Sequence, residues 1–171
     1  MTAFETPESL PIIVLSSVSL VSSIGAENLD HVKKFKQTKQ CPGCDLSGAD
    51  LSGLNLRHAN LQGADLSGAS LGGSDLTKAN LSGAILTGAN LNSTKLIGAN
   101  LSNARLNSVR MWVTQLMDAN LKGASLINAF IGQSNFTGAD VTGANFNGVQ
   151  SCDGDHNYIA PDGSRSNAWC K

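Results

Sequence analysis

ANLQGADLSGASLGGSDLTKANLSGAILTGANL, residues 59–91, places a leucine at every fifth position, and that spacing decides the fold. Reading outward in both directions, the same register runs from Leu46 to Leu106 without an exception. It continues as Met111, Leu116, Leu121, Leu126, Ile131, Phe136, Val141 and Phe146, so 21 repeats follow one another with no insertion. Two residues before each large side chain stands a small one, such as Ala49, Ala59, Ala64 or Ser74, with Cys44, Leu54 and Val109 as larger exceptions. A polar residue, usually Asn or Asp, separates the two, and Ser or Thr and then Gly follow.

A period of five suits neither an α-helix nor a continuous strand. It suits a short extended step followed by a turn. In an extended segment residues two apart point to the same side, so Ala59 and Leu61 face inward while Asn60 faces out. Glycine then accepts the positive φ that a tight corner requires. Four such sides close a square coil of about 20 residues, and successive coils stack as parallel strands at about 4.8 Å. A narrow bore explains why one inward residue is large and its partner small.

The pattern in Ala49-Asp50-Leu51-Ser52-Gly53, Ala64-Asp65-Leu66-Ser67-Gly68 and Ala139-Asp140-Val141-Thr142-Gly143 closely resembles the pentapeptide repeat family. The resemblance implies an all-β fold, a right-handed quadrilateral parallel β-helix of about five coils over residues 44–150. It says little of function, because a fold is a scaffold on which sites are built separately. The leader followed by Cys41-Pro42-Gly43-Cys44 is similar to exported cyanobacterial members of that family.

Residues 1–26 read as an export signal. Leu10 to Ile24 is apolar and Ile24-Gly25-Ala26 offers a small residue before Glu27. About 15 residues is short for a bilayer span and suits a signal core. The segment ahead of it has no Lys or Arg and carries Glu5 and Glu8, so an uncleaved anchor and a different start are the alternatives. Cleavage would leave no stable membrane span and would place the chain in a thylakoid lumen or periplasm. Residues 27–43 are expected to form a capping helix and turn, with Leu29, Val32 and Phe35 as its apolar stripe and four lysines on the rest of its surface. Residues 151–171 form the opposite cap, with Tyr158, Ile159 and Trp169 as the lid and a Cys152–Cys170 disulfide tying it.

The formal charge is −1, and removal of Glu5 and Glu8 with the leader leaves 12 basic residues against 11 acidic ones (13 less those two). No field of either sign exists to steer a nucleic acid. A DNA-mimicking protector of topoisomerase, a role known in the resembled family, needs acidic columns. Here the column of Asp45 and Asp65 continues as Ile85, Arg105 and Ser125, and that of Asp50 reaches Arg110. Cys41 and Cys44 form a Cys-x-x-Cys spacing, but they follow a helix instead of opening one, so structural thiols or a local bridge are expected over thiol-redox chemistry. Asp153-Gly154-Asp155-His156-Asn157 lacks the later residues of a calcium loop, and His31, His58 and His156 lie far apart along the path. No catalytic constellation, cofactor motif or cleft is expected.

Stacking carries more information than motif searching. Residues 20 apart should lie one above another, so Asn60, Asn80, Asn100 and Asn120 make an outward amide ladder that ends at Asp140. Between Lys95 and Phe130 the pattern breaks. Ile97, Trp112, Val113, Met117 and Ile127 replace Ser, Thr or Gly, and Phe130 replaces an outward Asn above Arg110, poised for a cation–π pair. These seven residues, Ile97, Arg110, Trp112, Val113, Met117, Ile127 and Phe130, form the candidate contact surface for a protein partner or a second copy.

Overall fold

The computed structural model describes residues 23–150 together with Tyr158, Ile159, Pro161, Arg165 and Ser166. From Gln40 to Gln150 the backbone forms parallel single-residue bridges, every one between positions 20 apart, beginning with Gln40 to Asn60 and ending with Phe130 to Gln150. Each coil is therefore a square of four five-residue sides. A side is too short for a named strand because only its outward residue lies flat against the neighbouring coils. The ladder is continuous along the axis: Ser70 donates its amide to Ala49 O at 2.9 Å, and Leu51 donates to Ser70 O at 2.8 Å.

At most corners the amide of the small inward residue donates to the carbonyl of the preceding large one, as from Ala64 to Leu61 at 3.0 Å, whereas the amide of Thr114 donates to Ser134 Oγ at 3.1 Å. The residue just before the small one has a φ between 54° and 71° at every corner from Gly43 to Gly148. That is the third position of a type II turn, which explains the preference for glycine there. Nine repeat corners nonetheless carry a side chain in this conformation, among them Ser108, Val113 and Asn128.

The bore holds the large side chains of the repeat. All nineteen from Leu46 to Phe136 have no more than 2% of their surface exposed, while Val141 and Phe146 at the far end are only partly buried. One inward column is hydroxylic: Ser74, Thr94, Thr114 and Ser134 are fully buried above Leu54. Their hydroxyls serve corner carbonyls. Ser74 and Thr94 donate to Leu71 O at 2.6 and 2.8 Å, Thr114 donates to Leu91 O at 2.8 Å, and Ser134 donates to Met111 O. An unpaired hydroxyl in an apolar bore would be costly, and the carbonyl stack removes that cost.

Helix α1 (Ser23–Thr38) precedes the coils. It begins four residues before the expected Glu27 and ends two before Gln40, and Lys39 closes it with a left-handed φ of 56°. Phe35 is fully buried with the bore residues and Val32 packs against them, but Leu29, expected on the same stripe, is 69% exposed. The stripe therefore meets the bore through Val32 and Phe35, toward the C-terminal end of α1, and not through Leu29. Asp45, the first residue of its column, has no coil beneath it to accept its amide; His31 Nδ1 of α1 accepts it instead, at 3.2 Å.

Cys41 and Cys44 are joined by a disulfide, so of the two structural alternatives, thiols or a local bridge, the structure holds the bridge. They flank the corner Pro42-Gly43, and that corner brings their α-carbons to 5.3 Å, within bridging range. Both are buried, at the large and small inward positions that open the repeat register. Of the leader read over residues 1–26, residues 1–22 lie outside the described residues, as do the Cys152–Cys170 pairing and Trp169 of the expected lid. Strands β1 (Tyr158–Ile159) and β2 (Arg165–Ser166) pair antiparallel, and Pro161 O accepts the Gly138 amide at 2.6 Å. No helix among the described residues is long and apolar enough to cross a membrane.

Candidate interaction face

The bridges divide the surface into four outward columns. Face 1 runs Gln40, Asn60, Asn80, Asn100, Asn120, Asp140; face 2 runs Asp45, Asp65, Ile85, Arg105, Ser125, Asn145. Face 3 runs Asp50, Ser70, Asn90, Arg110, Phe130, Gln150, and face 4 runs Asn55, Asp75, Lys95, Gln115, Asn135. No column carries a run of acidic residues beyond two.

Face 1 is the amide ladder. Asn120 Nδ2 donates to Asn100 Oδ1 at 3.2 Å, and Asn100 Nδ2 donates to Asn80 Oδ1 at 3.4 Å. Each Oδ1 also accepts the amide two residues on, as Asn100 does from Ser102 at 3.1 Å, so one side chain holds its own corner and its neighbour. Asp140 ends the column with Lys122 at 3.1 Å. The hydroxyl and amide of Thr142, and then Lys122, hold its carboxyl at a pKa of about 2.

Face 3 departs from this design in its second half. Arg110 cannot accept the amide of Trp112 as an Asn at its place would, so Asn92 Oδ1, one coil earlier, accepts it at 2.8 Å. The opposite corner uses the same substitute: Asn107 Oδ1 accepts the amide of Ile127 at 3.1 Å and the hydroxyl of Ser125 at 2.6 Å. With both corners pinned, Trp112 and Phe130 stack at 5.7 Å between ring centroids and 29° between planes.

That stack corrects the expected cation–π pair. Arg110 and Phe130 are bridged one coil apart, but the ring contact of Phe130 is with Trp112. Stacking takes apolar surface of both rings from water, whereas a guanidinium on the outer face keeps its hydration. Arg110 is exposed, and among the described residues it forms no ion pair; the two that occur are Arg57–Asp75 and Lys122–Asp140.

The structure also corrects the expectation of a surface without a cleft. Ser108, Arg110, Asn128, Phe130 and Gln150 line an open hollow of about 570 Å³ on face 3. Ser108 and Asn128 escaped the sequence reading, although a signal was present. Their corner column reads Gly48, Gly68, Gly88, Ser108, Asn128, Gly148, and only these two carry side chains.

Of the seven expected surface residues, the structure gathers Arg110, Trp112, Val113 and Phe130 along face 3 and one corner. Ile127 sits at the opposite corner of the same face. Ile97 and Met117 stack one coil apart, with Gly98 N donating to Met117 O at 2.8 Å, but at the corner between faces 4 and 1. They belong to a different edge. Val113 is 40% exposed, whereas Ile97, Trp112, Met117, Ile127 and Phe130 are half-buried between coils. Among the described residues no group of three His, Cys, Asp or Glu is placed to hold a metal.

The model of the family described as pentapeptide repeats matches residues 44–83, 74–112 and 114–149 of the chain, in eight copies. Among solved structures the chain is similar to a pentapeptide repeat protein from the Arabidopsis thaliana thylakoid lumen, at 35% identity over 67% of this chain and 70% of that one, TM-score 0.40. It is also similar to Rfr23 from the cyanobacterium Cyanothece 51142, at 27% identity over 71% and 93%, TM-score 0.38. HetL from Nostoc sp. strain PCC 7120, involved in heterocyst differentiation regulation, matches at 30% identity over 74% and 72%, TM-score 0.30. No curated protein sequence matches the chain. The TM-scores are low, and the family match carries the assignment. Members of this family are right-handed quadrilateral β-helices and typically non-enzymatic structural modules. With more than half of its residues matched and the 20-residue ladder running through them, the chain belongs to the pentapeptide repeat family.

Proposed function

We propose that this chain is a non-enzymatic interaction module working in an exported compartment, a thylakoid lumen or periplasm, with the second half of face 3 as its platform for a protein partner or a second copy. In this reading residues 1–26 are a signal peptide whose removal leaves no membrane span. Residues 27–43 close one end of about five coils, and residues 151–171 close the other. Phe35 of α1, buried with the bore residues, supports the first closure, and the bond from Gly138 to Pro161 supports the second. The Cys41–Cys44 disulfide suits an oxidising compartment.

One observation carries the platform. Trp112 stacks on Phe130 beside the hollow, on a face whose backbone needs neither ring to hold the bore. Aromatic rings of this kind, flanked by polar side chains, characterise contact surfaces. Mimicry of DNA lacks comparable support, because face 2 turns from Asp65 to Ile85 and Arg105, and face 3 from Asp50 to Arg110.

The test is to truncate Trp112, Val113 and Phe130 together and repeat cross-linking and hydrodynamic measurements on the exported protein. Loss of a specific cross-linked partner, or of a dimer, is expected. Unchanged partners and an unchanged hydrodynamic size would remove the platform, and recovery of the tagged protein in the cytoplasmic fraction would remove the exported compartment.

A further inference from the structure

The repeat by itself makes flat faces, because its corners are glycine and its outward residues are short. The hollow on face 3 exists only through departures from that rule. Ser108 and Asn128 hold left-handed φ values of 54° and 56°, a conformation that glycine takes freely and asparagine tolerates better than most residues, and their side chains raise one wall. Gly148 leaves room for that wall: a Cβ there would lie 2.2 Å from Asn128 Oδ1. Across the face, the corner column Gly53, Gly73, Ser93, Val113, Gln133 changes from glycine to side chains as well, and Val113 is a β-branched residue at φ 56°. The same conformation recurs with a side chain on another edge, at His58, Lys78 and Asp118; what sets the hollow apart is that two such side chains, Ser108 and Asn128, stand beside Arg110 and Phe130.

The chemistry inside the walls is specific. Arg110 brings a planar cation that no carboxylate of the described residues neutralises, and Asn128, Ser108 and Gln150 bring neutral hydrogen-bonding groups. Phe130 brings an apolar surface, fixed by its stack on Trp112. We propose that this hollow binds a carboxylate joined to an aromatic or large apolar group. The carboxylate takes the two-pronged guanidinium of Arg110, and the apolar part lies on Phe130. The proposal rests on the platform reading of face 3 and adds the class of ligand. Such a group is carried by a free aromatic acid or by the C-terminal residue of a partner chain.

The experiment follows backbone amide shifts of Ser108, Arg110, Asn128 and Phe130 in the intact protein. The titrants are N-acetylphenylalanine, its amide, and a hexapeptide ending in phenylalanine with a free carboxylate. Saturable shifts are expected with the acid, and binding about tenfold weaker or less with the amide, because the charge-assisted pair is lost. Arg110→Gln should weaken the acid by a similar factor and leave the weak binding of the amide unchanged. Both the exposed Arg110 and the consensus-restoring Asn128→Gly can be changed without touching the bore; the second should also weaken the acid, by removing a wall. Tighter binding of the hexapeptide than of N-acetylphenylalanine would assign the ligand as a chain terminus, and equal binding would assign a free acid.

Equal affinity for acid and amide, or no saturable shift at any of the four amides, would overturn the proposal. If that happens while truncation of Trp112, Val113 and Phe130 still abolishes a partner or dimer, the ligand class fails and the platform stands.

Discussion

Faces 1 and 3 are built on the same backbone and share the same bore, yet they use their outward positions differently. On face 1 the column Asn60, Asn80, Asn100, Asn120 is directed at the stack itself, each amide bonding its own corner and some bonding the next coil. On face 3 the column abandons that role at Arg110, and the amide of Trp112 finds its acceptor elsewhere, at Asn92; Asn107 does the same for the amide of Ile127, whose own column residue on face 2 is Ser125. The comparison separates two demands on one sequence. Inward residues answer to the coil, outward residues answer to it only where nothing else competes, and the repair of the two corners shows where something does.

The largest test asks whether the bore treats the two faces alike. Leu101 lies beneath face 1 and Met111 beneath face 3, and both are fully buried. Leu101→Ala and Met111→Ala should each destabilise by about 2–5 kcal/mol in urea-induced unfolding. A much smaller cost at Met111 would mean that the coil under face 3 is loosely packed, and the claim that the faces differ only outside the bore would break. A smaller effect sharpens the contrast. Asn100→Ala removes the acceptor for Ser102 and Asn120 and the donor to Asn80, and should cost about 1–2 kcal/mol. Phe130→Asn should cost about 1 kcal/mol or less, the worth of one aromatic pair, since no hydrogen bond of the coil passes through that side chain.

The bore was legible in the sequence because its cause is purely periodic. A large residue every fifth position can occupy one dry interior only if each five residues make one side of a square, and Leu46 to Phe136 bear this out residue by residue. The 20-residue columns followed from the same arithmetic. The disulfide was half legible: Cys41 and Cys44 were placed as structural, but their bridging depends on how tightly Pro42-Gly43 turns, and composition does not carry that. The hollow was not legible as a hollow. Its walls depend on Ser108 and Asn128 keeping a backbone conformation that glycine would take freely, and its floor depends on which neighbour Phe130 stacks upon. Leu29 was misplaced because helical periodicity fixes a stripe but not how much of it is covered, and only Val32 and Phe35 pack against the bore.

A still smaller effect tests the strain at the rim. Val113 holds φ 56° with a β-branched side chain, while the same corner two coils earlier is Gly73. Val113→Gly should relieve about 1–2 kcal/mol of left-handed strain and lose about half of that to the greater freedom of an unfolded glycine. A net gain of roughly 0.5–1 kcal/mol is therefore expected in the same unfolding assay. A loss of stability would show that Val113 contributes packing that outweighs its backbone, and the outward side chains of face 3 would then serve the stack no less than those of face 1.

The smallest effect lies at the end of the ladder, where Asp140 takes the place of an Asn. The hydroxyl and amide of Thr142, followed by Lys122 at 3.1 Å, favour its ionised form and set its pKa to about 2. A carboxyl held below its unfolded value of about 4 contributes stability above that value and loses the contribution as the pH falls through the folded one. The window is therefore about pH 4 down to about 2, and the sign is destabilisation by acid. An NMR titration of the Asp140 carboxyl should find its midpoint at about 2, and Lys122→Ala should raise the midpoint only modestly, because Thr142 contributes more. A midpoint of about 4 in the intact protein, the ordinary carboxylate value, would mean that the corner bonds of face 1 do not discriminate between an amide and a carboxylate. The outward column would then be free to vary on every face, and the irregularity of face 3 would lose the contrast that makes it informative.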